Sequence, residues 1–96
     1  MQSSRSCDPV TRSPNPYSSL DDAQYDAVVN GQYLKSTFSG SNTGCLSFTL
    51  AGDLIGFQDD KLPSFERKAR TLIFDQHEMA AFIAGAKNGE FDHLLD

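Results

Sequence analysis

The last third of the chain carries a helical pattern of hydrophobic residues with a complete set of end signals. Four apolar residues recur at helical spacing: Met79, Phe82, Ile83 and Ala86. Asp75 stands at the N-cap position with Glu78 three residues later, which is the arrangement of a capping box. Gly89 suits the left-handed residue that follows a last helical turn. The pattern predicts a helix from about Gln76 to Asn88.

The residues before that helix alternate with the period of two that is typical of a half-buried strand. Apolar side chains at Leu46, Phe48 and Leu50 are separated by Ser47 and Thr49. Gly52 suits the first central position of a two-residue turn, so Ile55 and Phe57 run back in a β-hairpin. Residues 71–74 and 33–36 predict two further short strands. Residues 61–70 are charged and interrupted by Pro63, which predicts a long loop whose basic residues are solvated.

These elements predict an α+β fold: a small antiparallel β-meander of three to four strands with the C-terminal helix packed on one face. Residues 1–19 are rich in Ser and Pro and predict a disordered N-terminal tail. Residues 20–31 predict a short helix that Ser19 or Asp21 caps and Asn30-Gly31 ends. Residues 32–96 remain as the small α+β domain. Because a core of that size is marginal, we expect a homodimer or a stable partner.

An ordered set of short motifs gives the chain a family resemblance. The first motif is aromatic-x-Lys-Ser-x-x-Ser-Gly at 33–40, which we call the signature stretch, and a Gly/Asn turn and Cys45 follow it. The second is the strand end Phe-Gln-Asp-Asp-Lys at 57–61. The last two are Leu-x-Phe at 72–74 and Gly-Glu-Phe-Asp at 89–92. Over about residues 33–94 the chain resembles the family of domain of unknown function 397, the BldB-like small acidic regulatory proteins of actinobacteria. It departs from the family at Tyr33 and Met79, where Trp is usual, and at Gln58, where a basic residue is usual.

The resemblance implies a non-enzymatic regulatory protein that acts by protein–protein interaction. It implies a homodimer that binds and modulates a helix-turn-helix transcription regulator, in antitoxin-like or developmental regulation. Candidate partner-binding residues lie in the signature stretch and at one strand end: Tyr33, Lys35, Ser36, Phe38, Ser39 and Asp59. Candidate core or dimer-packing residues are Leu46, Phe48, Ile55, Phe57, Leu72, Phe74, Met79, Phe82, Ile83 and Phe91. An ordinary turn is the other interpretation of the signature stretch, and Phe38 is either a core residue or an interface anchor.

Charge and reactive residues narrow the class of function further. The net charge of −5 argues against direct binding to nucleic acid and suits a basic protein partner. The sequence context of a catalytic nucleophile is absent around Ser36, Ser39 and Cys45. Adjacent residues of a strand point to opposite faces, so the carboxylates of Asp59 and Asp60 cannot share a proton. We therefore expect that the chain is not an enzyme. We expect no metal and no cofactor, because the two cysteines and two histidines show no ligand spacing.

No apolar run is long enough for a membrane span or a signal peptide, which predicts a cytoplasmic protein that does not contact a membrane. The alternative function is a self-assembling structural or scaffolding module that needs no regulator, in which edge strands pair between chains.

Overall fold

The computed structural model describes residues 15–39 and 45–95. The elements within these ranges are α1 (Asp22–Val29), β1 (Leu34–Lys35), β2 (Leu46–Ala51), β3 (Leu54–Asp59), α2 (Ser64–Ala69), β4 (Leu72–Asp75), α3 (Gln76–Lys87) and a 3-10 helix (Asp92–Leu95). The strands form one antiparallel sheet in the order β1-β2-β3-β4. The predicted α+β fold, an antiparallel meander with a C-terminal helix, is confirmed.

The β2–β3 hairpin forms at the predicted turn. Ala51 pairs with Leu54, which leaves Gly52 and Asp53 as a two-residue loop. Gly52 takes a φ of 63°, a conformation that glycine adopts without the steric cost of a Cβ atom. The turn therefore sets the register of the two longest strands.

Helix α3 begins and ends as its sequence predicts. The Asp75 carboxylate accepts a hydrogen bond from the Glu78 backbone N–H at 2.8 Å, and the Glu78 carboxylate accepts one from the Asp75 N–H at 2.9 Å. Gly89 follows the helix with a φ of 78°. Phe91 then turns back and stacks on Phe82 of the same helix, with ring centroids 4.9 Å apart.

Helix α1 provides most of the buried apolar core. Asp21 is its N-cap in a capping box with Gln24, and Asn30 ends it. The buried apolar residues are Tyr25, Val28 and Val29 of α1 and Ile73 of β4. A Cβ atom added to Gly56 of β3 would lie 2.4 Å from Val28 Cγ1, so the absence of a side chain lets the helix approach the sheet.

In an ordinary half-buried sheet the apolar side faces the core, whereas in this sheet the polar side of β2 faces α1 and the apolar side faces away. Ser47 and Thr49 of β2 are buried on the side that faces α1, and Leu46, Phe48 and Leu50 are exposed on the other side. The predicted alternation is present, but its apolar side lies outside the core of the single chain.

Residues 15–19, which the sequence assigned to the disordered tail, are part of the fold. The Tyr17 ring lies 6.5 Å from the Tyr25 ring, and its hydroxyl accepts a hydrogen bond from the Ile73 backbone N–H at 2.8 Å. Asn15 Nδ2 donates to the Leu20 carbonyl. These contacts anchor the segment despite its polar composition; residues 1–14 of the predicted tail lie outside the described residues.

The long loop predicted for residues 61–70 is wrong in part, because α2 lies within it. The sequence predicts that Pro63 interrupts regular structure. In the structure Pro63 is the N-cap of α2, with a φ of −57°, and precedes the first turn of the helix. Proline is compatible with a helix start, where backbone N–H groups have no partner in the helix. The helix ends where the Thr71 hydroxyl donates to the Lys68 carbonyl at 2.8 Å.

The cap of α3 gives a test of this fold. Replacing Asp75→Ala removes the side-chain acceptor, so we expect the free energy of unfolding in a denaturant titration to fall by about 1 kcal/mol. Asp75→Asn keeps an acceptor at the same place and is the matched control, expected within a few tenths of a kcal/mol of the unchanged protein. Equal losses in both variants would contradict the capping account.

Candidate protein-interaction surfaces

The side of the sheet that faces away from α1 is a continuous apolar surface, which we call the apolar sheet face. Its members follow from the strand register: Leu34, Leu46, Phe48, Leu50, Ile55, Phe57, Leu72 and Phe74. One row of cross-strand neighbours spans all four strands, from Leu34 through Phe48 and Phe57 to Leu72. Asp59, paired with Leu46, lies at its margin, where Lys61 and Arg70 also line a shallow pocket. A row of this kind is ready to pack against another apolar layer.

Helix α3 covers only part of the apolar sheet face. Met79 and Ile83 form one wall of a groove of about 680 Å³ whose other walls include Phe48, Leu50 and Phe57. Five of the ten predicted core or dimer-packing residues thus line one groove: Phe48, Ile55, Phe57, Met79 and Ile83. Phe82 and Ile83 remain exposed, and Gly85 is the buried residue of α3. The groove therefore opens to solvent between the helix and the sheet.

The signature stretch divides into an inward and an outward half. The Tyr33 hydroxyl donates to the Val28 carbonyl at 2.9 Å, so Tyr33 joins β1 to α1. Desolvation by burial, followed by the negative potential of Tyr25, raises the pKa of Tyr33 to about 12. Beyond β1, the Ser36 hydroxyl accepts from the Phe38 backbone N–H at 3.0 Å and the Ser36 carbonyl accepts from Ser39 N–H at 2.9 Å. This turn presents Phe38, which is 97% exposed.

Asp59 lies apart from the other candidate partner-binding residues. It ends β3, on the far side of β2 from the signature stretch, and pairs with Lys61 at 3.0 Å. The Lys61 backbone N–H, and after it the Lys61 ammonium, lower the pKa of Asp59. Both side chains are exposed, so the pair contributes little to stability. Its neighbour Asp60 accepts from the Ser47 hydroxyl at 2.9 Å.

Gln58 has a structural role that the sequence did not reveal. Its side chain is buried, and Nε2 donates to the Val29 carbonyl at 3.1 Å and to the Thr71 hydroxyl at 3.0 Å. It thereby joins α1 to the end of α2. A nearby polar cavity of about 370 Å³ includes Arg67 and Lys68 but also the Asp60 carboxylate, which opposes an anionic ligand.

Groups that could carry other chemistry do not converge in the part of the chain that the structure describes. No three His, Cys, Asp or Glu side chains among residues 15–39 and 45–95 form a cluster that could hold a metal ion. Cys45 is a free, half-buried thiol just before β2. None of the helices described has the length and apolar character that a membrane span requires.

Comparisons with known proteins add no relative to this picture. No protein-family model matches the chain, and comparisons with curated proteins and with solved structures likewise give no significant match.

The environment of Tyr33 gives a pH test. In the folded chain the pKa of Tyr33 is raised from the ordinary value of 10.0 to about 12. The neutral phenol therefore contributes its full stabilisation of the fold below pH 10, and this stabilisation is lost as the pH rises through about 12. Tyr33→Phe removes the ionisation, and we expect a shallower alkaline loss of stability than in the unchanged protein. Thermal unfolding between pH 9 and pH 12, roughly the titration range of a tyrosine, measures both slopes. Identical slopes would contradict the burial of this hydroxyl.

Proposed function

We propose that the chain is a non-enzymatic regulatory protein that acts by binding another protein, and that this partner is a helix-turn-helix transcription regulator. The observation that carries the proposal is the presentation of Phe38 by an ordered turn. Aromatic side chains are enriched at the centres of protein interfaces, where they bury a large area. A monomeric domain gains nothing from an aromatic ring that is 97% exposed.

The turn lowers the cost of binding through Phe38. Its backbone is held by two hydrogen bonds to Ser36, so little backbone freedom remains to be lost when a partner arrives. Lys35 and Ser36 are exposed beside it and supply a cation and a hydroxyl for the polar rim of an interface. Tyr33 is half-buried, and its hydrogen bond to the Val28 carbonyl supports this surface from below.

Charge and resemblance supply the identity of the partner. A net charge of −5 favours the approach of a basic protein and speeds its association at low salt. DNA-binding regulators carry such basic surfaces. The helix-turn-helix class itself rests on the resemblance of residues 33–94 to the family of domain of unknown function 397. In that role the chain acts in the cytoplasm as an antitoxin-like or developmental modulator, with a homodimer as its functional unit.

The alternative, a scaffold that assembles through its edge strands, receives less support from the edges of the sheet. At the β4 edge, the Ile73 N–H already donates to the Tyr17 hydroxyl and the Asp75 N–H to the Glu78 carboxylate. The other edge, β1, has two residues only. An edge whose backbone donors are occupied, or which is very short, is a poor template for another strand.

A binding assay tests the regulator and the surface separately. The resemblance implies a helix-turn-helix regulator encoded beside this chain's gene, and we expect such a regulator to co-purify with the chain and to bind it at micromolar concentration in low salt. Phe38→Ala should weaken that binding by about tenfold or more, with an unchanged melting temperature, because the ring makes no core contact.

Phe65→Ala is the matched control, since Phe65 is also an exposed phenylalanine but lies on α2. We expect it to bind as tightly as the unchanged protein. Failure to form any complex would refute the proposed function. A complex that Phe38→Ala does not weaken would refute the proposed surface alone.

A further inference from the structure

We propose that a second copy of this chain packs on the apolar sheet face, so that two sheets stack across a two-fold axis and complete each other's hydrophobic layer. The inference deepens the proposed function, on which it rests for the homodimer, by naming the surface at which the two copies meet. It leaves the Phe38 turn free for the regulator.

The exposed apolar area approaches that of a dimer interface. Six large apolar residues of the face and of the α3 wall of its groove are exposed in the single chain: Leu34, Leu46, Phe48, Leu50, Leu72 and Ile83. At roughly 180 Å² for a large apolar residue, their exposed fractions correspond to about 600 Å², compared with the ~800 Å² per partner that a specific, stable interface buries. An uncovered patch of that size is at the upper end for a monomeric protein. The face therefore offers most of one side of a stable dimer.

The residues given in this sequence do not supply a cover for the face. Helix α3 already contacts the face through Met79 and Ile83 and leaves the groove beside them open. Residues 1–14 contain only Met1, Cys7 and Val10 as apolar residues other than proline, and residues 40–44 contain none. These segments lack the apolar side chains to bury a surface of this size. A second copy of the chain can supply the cover.

The chemistry of the face favours a second copy over a different protein. The face is an apolar layer on a four-stranded sheet, with Asp59, Lys61 and Arg70 at its margin. Two such layers are complementary to each other because sheets pack face to face through interdigitated apolar side chains. A two-fold axis brings the same patch from both chains together and so needs no separate partner surface. Charges of both signs, on Asp59, Lys61 and Arg70, border the layer, and repulsion between exposed charges of the two chains is screened at physiological salt.

The core that a single chain buries is small. Tyr25, Val28, Val29 and Ile73 are its buried apolar residues among those described. The opposite side of the sheet holds more large apolar residues than this core does. A domain of this size commonly requires oligomerisation for stability, and the apolar sheet face is where dimerisation would bury the most hydrophobic surface.

The test is the molar mass in solution of the full chain and of three variants. Sedimentation equilibrium of the unchanged protein at micromolar concentration should give twice the chain mass of 10.5 kDa. Leu50→Glu places a charge on the apolar sheet face at a residue that is 64% exposed in the single chain, and we expect a dissociation constant at least about 100-fold weaker. Leu50→Ala, a milder change, should weaken the dimer about tenfold and keeps the test valid if Leu50→Glu does not fold.

Leu95→Glu is the matched control, because Leu95 is an exposed leucine in the 3-10 helix and is not a member of the apolar sheet face. It should remain dimeric. A monomeric unchanged protein, open-ended assembly, or a Leu50→Ala variant that dimerises as tightly as the unchanged protein would each overturn the inference.

The regulator assay distinguishes this inference from the proposed function. If the second copy occupies the apolar sheet face, monomeric Leu50→Glu should still bind the regulator through Phe38, with lower avidity. If the regulator occupies the face instead, the unchanged protein will be monomeric alone and Leu50→Glu will abolish the complex. The second outcome overturns the inference and leaves the regulatory function standing.

Discussion

The approach of α1 to the sheet at Gly56 determines which side of the sheet becomes the core. A Cβ atom at this position would collide with Val28 Cγ1 and with the Tyr33 hydroxyl, so the helix sits where the strand has no side chain. The neighbours of Gly56 on that side are the apolar Ile73 and two polar residues whose hydrogen bonds are satisfied: Thr49 donates to the Gln32 carbonyl and Gln58 to the Val29 carbonyl. Burial of the polar groups costs little because each has a partner. Most of the large apolar residues of the strands lie on the opposite side.

This arrangement connects the stability of the fold to its function. Full burial of a large apolar side chain contributes about 1.5–3 kcal/mol, and the single chain obtains that contribution from four residues of its described core. Much of the remaining hydrophobic surface lies on the apolar sheet face and on α3. Association with a second copy would make that surface part of a shared core, whereas Phe38 lies in a separate turn beyond β1. In the function proposed above, the apolar sheet face serves self-association and the Phe38 turn serves the regulator.

Elements with local determinants were predictable from the sequence, and the arrangement of the layers was not. The capping box of α3 and the Gly52 turn depend on residues within three positions of each other, and both form as predicted. Helix α2 was missed because Pro63 breaks a helix only in its interior, and here it stands at the start. The alternation of β2 indicates two faces but not which one α1 covers. Gly56 within a strand was the available signal, since glycine there often marks a close approach of another element.

If the apolar sheet face is buried only when two chains associate, the melting temperature must depend on protein concentration, and this dependence is the most direct test. For a dimer that dissociates as it unfolds, mass action makes the melting temperature rise with protein concentration. Calorimetric melting of the unchanged protein over about a hundredfold range of concentration is predicted to show that rise. The calorimetric enthalpy per mole of dimer should equal the van't Hoff enthalpy, because the two chains unfold in one cooperative step. A melting temperature that is constant over the whole range would contradict the account.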